Sequence, residues 1–165
     1  FRVRPTAEHV RAALLDHLAP RLAGARVLDL FAGTGALGLE ALSRGATTCD
    51  FVETRPASLH ALRANVAALR VRDRTRVFKK DALPFAAALP AGRYDLAFVD
   101  PPYESRMLDR VLEGWTARPF ARLLVCEHAR AHPLPAGRER LGFDDTVVTI
   151  YEAPAAAERP EKAPA

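Results

Sequence analysis

Three glycines, Gly33, Gly35 and Gly38, stand in Phe31-Ala-Gly-Thr-Gly-Ala-Leu-Gly38, between the apolar run Arg26-Val-Leu-Asp-Leu-Phe31 and a helical pattern beginning near Ala36. A strand that turns through G-x-G-x-x-G into a helix is the context of a nucleotide-binding turn, where bare backbone must approach a ligand. That context requires a parallel strand–helix–strand unit, and the rest of the chain supplies one. Thr6 can cap a first helix, with Val10, Ala13, Leu14 and Leu18 at helical spacing and Pro20 as its stop. Gly45 stops the helix after the loop, and a second strand runs to Glu53. Pro56 opens a helix carrying Leu59, Leu62, Val66 and Leu69. Further strands are predicted near 76–79, 94–99 and 121–127, with helices after Asp81 and over 107–115. Residues 138–152 read as a hairpin turning near Asp144-Asp145. The expected fold is α/β and Rossmann-like: a mostly parallel seven-stranded sheet with helices on both faces and a terminal antiparallel hairpin. Residues 1–152 form the expected domain. The tail from Ala153 is Pro, Ala and charge without periodicity and is expected to be disordered.

The loop by itself fits a dinucleotide or S-adenosylmethionine. Glu53, at the end of the second strand, can accept from both ribose hydroxyls of either. Three further features favour S-adenosylmethionine. Asp29, two residues before the loop, would repel a pyrophosphate but attract an ammonium and a sulfonium. Asp81 can accept from an adenine amine while the Ala82 N–H donates to a ring nitrogen. Asp100-Pro-Pro-Tyr103, after the fourth strand, has no use in a dehydrogenase. Each feature has a plainer reading: Asp29 as a turn cap, Asp81 as a helix N-cap, the D-P-P-Y run as a rigid loop. Their order along one chain favours the cofactor site.

D-P-P-Y has a chemical logic of its own. An exocyclic amine on a base is a poor nucleophile, because its lone pair is delocalised into the ring. The Asp100 carboxylate and Pro101 carbonyl can each accept one of its hydrogens and favour a more tetrahedral nitrogen. Pro101 and Pro102 stiffen the turn, and Tyr103 can stack on the base. Catalysis of this kind runs on positioning and electrostatics.

Composition narrows the class. With 165 residues, 49% hydrophobic and 27% charged, the chain is long enough for one globular domain with a real core. It has neither a signal-peptide pattern nor an apolar run near the roughly 20 residues that span a bilayer, so a cytoplasmic location and no membrane are expected. A net charge of +4 is compatible with nucleic acid, but an Arg- and Ala-rich composition more often reflects a GC-rich genome. Cys49 and Cys126 read as core residues. The histidines, His9, His17, His60, His128 and His132, lack ligand spacing and read mostly as surface residues, so no metal is expected. The first residue is Phe1 rather than Met, so a further N-terminal piece is expected.

These motifs resemble the bacterial small-subunit (16S) rRNA guanine-N2 methyltransferases, the ribosomal RNA small subunit methyltransferase D family. The resemblance is carried by Arg4-Pro-Thr6 with Val10-Arg11, by Val27 to Ala46 almost throughout, and by Phe98-Val-Asp-Pro-Pro-Tyr103. D-P-P-Y alone is shared with adenine-N6 DNA methyltransferases; the R-P-T segment with the long loop match is more specific. The resemblance implies S-adenosylmethionine as donor and a guanine of small-subunit rRNA as acceptor. Asp29, Phe31, Ala32, Gly33, Gly35, Glu53, Thr54, Asp81 and Ala82 would hold the cofactor, and Asp100, Pro101, Pro102 and Tyr103 the base. Arg4, Pro5, Thr6 and Arg11 would face the RNA. The chain departs from the family at Ala12 and Leu15, where a Glu and a Phe are usual, and matches poorly over 128–145. A monomer acting on rRNA in an assembled or assembling ribosomal particle is expected. The competing readings are an adenine-N6 DNA methyltransferase, which the lack of a target-recognition insertion disfavours, a dinucleotide-dependent oxidoreductase, and a non-catalytic RNA-binding protein that kept the fold.

Overall fold

The computed structural model describes residues 8–102 and 106–154. Among the described residues five α-helices and seven strands follow one another as α1 (Glu8–Leu18), β1 (Arg26–Asp29), α2 (Ala36–Ser43), β2 (Thr48–Val52), α3 (Pro56–Ala68), β3 (Thr75–Phe78), α4 (Ala82–Ala87), β4 (Tyr94–Val99), α5 (Met107–Ala117), β5 (Ala121–Ala129), β6 (Glu139–Phe143) and β7 (Thr146–Glu152). Thr6, the expected cap of α1, lies outside the described residues. Pro20 sits in a 3₁₀ turn that continues from the end of α1.

The strands form one sheet in the order β3-β2-β1-β4-β5-β7-β6. β1 to β5 are mutually parallel; β7 is antiparallel to both β5 and β6. The hairpin turns through Asp144-Asp145 as expected, with Asp144 at a left-handed φ of 57°, a conformation that Asp tolerates better than most side chains. β1 is shorter than its apolar run. Leu30 still donates to the Phe98 carbonyl, but Ala32 has already turned to donate to Val52.

Alternation along the strands fills two cores. Val27, Phe51, Phe98 and Val125 face α1, α2 and α3, while Leu28, Val52, Val99 and Leu124 face α4 and α5. A parallel sheet covered on both faces is the result. Cys49 and Cys126 are core residues, as read, and burial pushes both thiols up. Among the described residues no helix is long and apolar enough to cross a membrane.

The strand order reverses between β1 and β4. Such a switch point opens a crevice at the carboxyl ends of the strands, where open α/β sheets bind ligands. The glycine loop leaves β1 on one side of it, and Asp100 leaves β4 on the other.

Candidate active site

The three glycines do different work. Gly33 has φ +57°, and a Cβ there would meet nothing within 4 Å, so the loop presents open space at this position. Gly35 has φ +87°, and its Cβ would lie 2.4 Å from Leu62 Cδ1. Gly38 is ordinary in backbone, but its Cβ would fall 2.5 Å from the Phe51 ring and 2.6 Å from Cys49 Sγ. The first glycine shapes the approach, and the third lets α2 press onto the sheet.

Two buried carboxylates hold this loop. Asp29 is 2% exposed, and its Oδ2 accepts from the Gly38 N–H at 3.1 Å. Burial pushes its carboxyl up to about 7; the Gly38 bond opposes the rise and the nearby Glu53 charge adds to it. Glu53 accepts from the Gly33 N–H at 2.8 Å through Oε1, and from the Thr54 and Arg55 N–H groups at 2.9 Å through Oε2. The Arg55 guanidinium approaches Oε2 at 3.3 Å. Burial raises Glu53, but these donors outweigh it and hold the carboxyl below its ordinary range. Glu53 is therefore an anion at neutral pH, whereas Asp29 is poised between charge states. Asn65 braces the outer side of the loop, donating to the Thr34 carbonyl at 3.0 Å.

Asp81 stands at the N-cap position of α4, yet its side chain makes no capping bond. The carboxylate is exposed beyond β3, at the same edge of the sheet as Glu53. Phe31 and Ala82 are half-buried, Ala32 is buried and Thr54 is exposed. Asp100, Pro101 and Pro102 are half-buried directly after β4. The pairing of Asp29 with Phe98 in register places the two turns side by side.

Not every expected residue gathers here. Arg4, Pro5, Thr6 and Tyr103 lie outside the described residues. Arg11 is half-buried with its Nε 3.6 Å from Glu40 on α2, so its guanidinium braces two helices against each other. The histidine reading needs correction at His128, which is 7% exposed and bonded on both ring nitrogens. Sequence reasoning also passed over Arg55 and Asn65. Arg55 was signalled only by its adjacency to Glu53, and nothing local marks Asn65 as reaching 31 residues back to Thr34. Among the described residues no group of three or more His, Cys, Asp or Glu is placed to hold a metal.

The family model described as conserved hypothetical protein 95 matches residues 1–142. The chain belongs to that family. YlbH of Bacillus subtilis, which carries a provisional rRNA methyltransferase name, is 34% identical over 154 residues, covering 90% of this chain and 81% of that protein. Ribosomal RNA small subunit methyltransferase D of Escherichia coli is 38% identical over 120 residues, covering 70% of this chain and 60% of that protein. Among solved structures, yhhF of Escherichia coli, provisionally named a methyltransferase, superposes with a TM-score of 0.79 at 30% identity over 91% of this chain and 87% of that one. An RNA methyltransferase of Salinibacter ruber, solved with S-adenosyl-L-homocysteine, has a TM-score of 0.69 at 15% identity over 98% of this chain and 97% of that one, and so shares the fold. The sheet is that of a Rossmann-like class I methyltransferase with its terminal antiparallel hairpin.

Proposed function

We propose that this family member is an S-adenosylmethionine-dependent methyltransferase acting on the exocyclic N2 amine of a guanine in small-subunit (16S) rRNA. The observation that carries this reading is the juxtaposition at the switch point. A glycine loop held by two buried carboxylates lies beside an Asp-Pro-Pro turn. The named relatives add rRNA as the class of acceptor.

The residues present suit the cofactor. Open space at Gly33 admits a ligand against bare backbone. Glu53, held ionised, can accept from ribose hydroxyls with the lone pairs its main-chain donors leave. Asp29 gains a reason to ionise when a cation arrives. The exposed, uncapped Asp81 can accept from the adenine amine, with the Ala82 N–H beside it. When bound, S-adenosylmethionine supplies an electrophilic methyl group on a sulfonium.

The remaining chemistry belongs to the chain. The Asp100 carboxylate and Pro101 carbonyl accept the two amine hydrogens and turn the nitrogen lone pair out of the ring plane. Asp100 takes the proton that the nitrogen sheds on methylation and returns it to water. The two prolines fix the carbonyl direction, so little reorganisation is left for the reaction itself. The target base has to be presented out of its stack. The catalytic domain is residues 1–152. Recognition by RNA shape within an assembled or assembling particle belongs to the same reading. We place the enzyme in the cytoplasm as a monomer.

The test uses radiolabelled S-adenosylmethionine with small-subunit particles from a strain lacking the native enzyme, followed by digestion to nucleosides. Label is expected in N2-methylguanosine, and Asp100→Ala is expected to lower it by about 10²–10³-fold. Label in N6-methyladenosine would move the acceptor. Full activity in Asp100→Ala would remove the proposed chemistry.

A further inference from the structure

We propose that His132 and Asp109, seated on the buried His128, form a clasp that positions the Asp100–Pro102 turn; this rests on the methyltransferase reading above. The turn lies between β4 and α5. On the β4 side it is fixed by the sheet, with Val99 in register with Cys126 of β5. On the α5 side the N-cap residue, Arg106, makes no side-chain capping bond. The buried Leu108, Val111, Leu112 and Trp115 hold α5 against the sheet. Apolar packing is non-directional and by itself sets the position of the first turn loosely.

A directional contact among the described residues adds a constraint. Asp109, in the first turn of α5, has Oδ1 3.1 Å from His132 Nε2. His132 sits in the turn after β5, and its N–H donates to the Ala129 carbonyl at 3.0 Å. That turn wraps around His128, whose Nδ1 lies 3.0 Å from the Ala129 carbonyl and 3.1 Å from the His132 carbonyl. Two acceptors at one ring nitrogen require that nitrogen to carry the hydrogen. Nε2 therefore accepts from the Thr149 hydroxyl of β7 at 2.8 Å. Burial holds His128 below its usual range and favours the neutral ring. The two imidazoles stand nearly edge to face, with ring centroids 6.2 Å apart.

The constraint runs from Thr149 on β7, through His128 on β5 and the His132 turn, to Asp109 on α5. It starts two strands from β4, with β5 between, and ends on the helix that follows the turn. The Asp109 side chain is 43% exposed and that of His132 25%, so the pair adds little to global stability. A small drift of the turn would nevertheless be costly, since misplacing a reacting group by about 1 Å can cost about 10²-fold in rate. Both histidines are positioning residues that act through α5.

The full chain is compared with His132→Ala, His132→Gln and Asp109→Ala. His132→Ala is expected to lower kcat on the ribosomal substrate about tenfold, with KM for S-adenosylmethionine and Kd for S-adenosylhomocysteine unchanged. Glutamine can donate an amide N–H to Asp109, so His132→Gln is expected to recover most of the rate. Asp109→Ala should match His132→Ala, and the double variant should be no worse than either. Amide hydrogen exchange at Asp100, the residue of the Asp-Pro-Pro turn that carries a backbone N–H, should quicken in His132→Ala and return to the parent rate in His132→Gln. A kcat within twofold of the parent in His132→Ala, or a loss that glutamine does not recover, overturns the clasp. Unchanged exchange at Asp100 overturns it too, even if the parent protein transfers no methyl to rRNA. That last result would separately count against the function proposed above.

Discussion

Asp29 and Asp50 are buried on neighbouring strands, 2% and 4% exposed, yet the fold surrounds them differently. Asp50, in the middle of β2, is fully partnered. Arg76 donates to it twice, at 3.0 and 2.8 Å, the Tyr94 hydroxyl donates at 2.6 Å, and Arg93 lies at 3.7 Å. Burial together with this carboxylate pushes the Tyr94 phenol up. Asp29, at the carboxyl end of β1, has a main-chain N–H from Gly38 and another acid, Glu53, close enough to raise it. One aspartate is compensated inside the protein, and its role is to tie β2, β3 and β4 together. The other carries an unspent demand for positive charge beside the loop with open space. A buried carboxylate is therefore no site marker in itself; what marks a site is a charge that the fold has left for a ligand to balance.

The comparison breaks most visibly by removing Asp50. Asp50→Ala leaves the buried Tyr94 hydroxyl without its acceptor and takes the anion from the solvent-reaching Arg76 and Arg93, and should cost about 3 kcal/mol in urea unfolding. The affinity for S-adenosylhomocysteine should stay within twofold by calorimetry; a tenfold loss there would erase the distinction. Next in size is Gly38→Ala, whose Cβ must displace the Phe51 ring and Cys49. A loss of about 1–3 kcal/mol is expected, exceeding that of Gly33→Ala, where only the left-handed backbone resists.

Asp29→Asn sharpens the contrast, since the amide can still accept from Gly38 but carries no charge. S-adenosylmethionine affinity should fall by about tenfold, while thermal stability at pH 8 should hold or rise. The sign follows from linkage. With a carboxyl raised from 3.8 to about 7, the native state keeps a proton that the unfolded chain releases. Native stability therefore declines as pH rises across that window, and Asn removes the decline. The smallest effect is in binding: affinity for S-adenosylmethionine should strengthen a few-fold between pH 6 and 8 as Asp29 ionises, and titration calorimetry should detect the accompanying proton release. Flat affinity across that range would show that Asp29 does not meet the cofactor's charge.

Much of this was legible in the chain because the signals are local. The period of Val10, Leu14 and Leu18, the Pro56 helix start and the Asp144-Asp145 turn depend on neighbours a few residues away. So does the strand–glycine–helix motif. The ends of elements were less legible. β1 stops at Asp29 although apolar residues continue, because Ala32 pairs with Val52. The histidines read mostly as surface residues, and nothing local sets His128 apart as the buried one, because its partner Thr149 arrives from 21 residues away. Arg11 read as an RNA contact, and the nearby Glu40 meets it across a helix–helix contact.

The sequence by itself determined the order of elements, the glycine loop and the positions of Asp29, Glu53, Asp81 and Asp100 at strand ends, since hydrophobic period and turn chemistry act over short range. Tertiary structure alone decided which charges are left unbalanced. Whether a buried aspartate is paired or poised depends on residues brought together from distant strands. Asp50 meets Arg76 and Tyr94, and Asp29 meets Glu53, only once the sheet has formed.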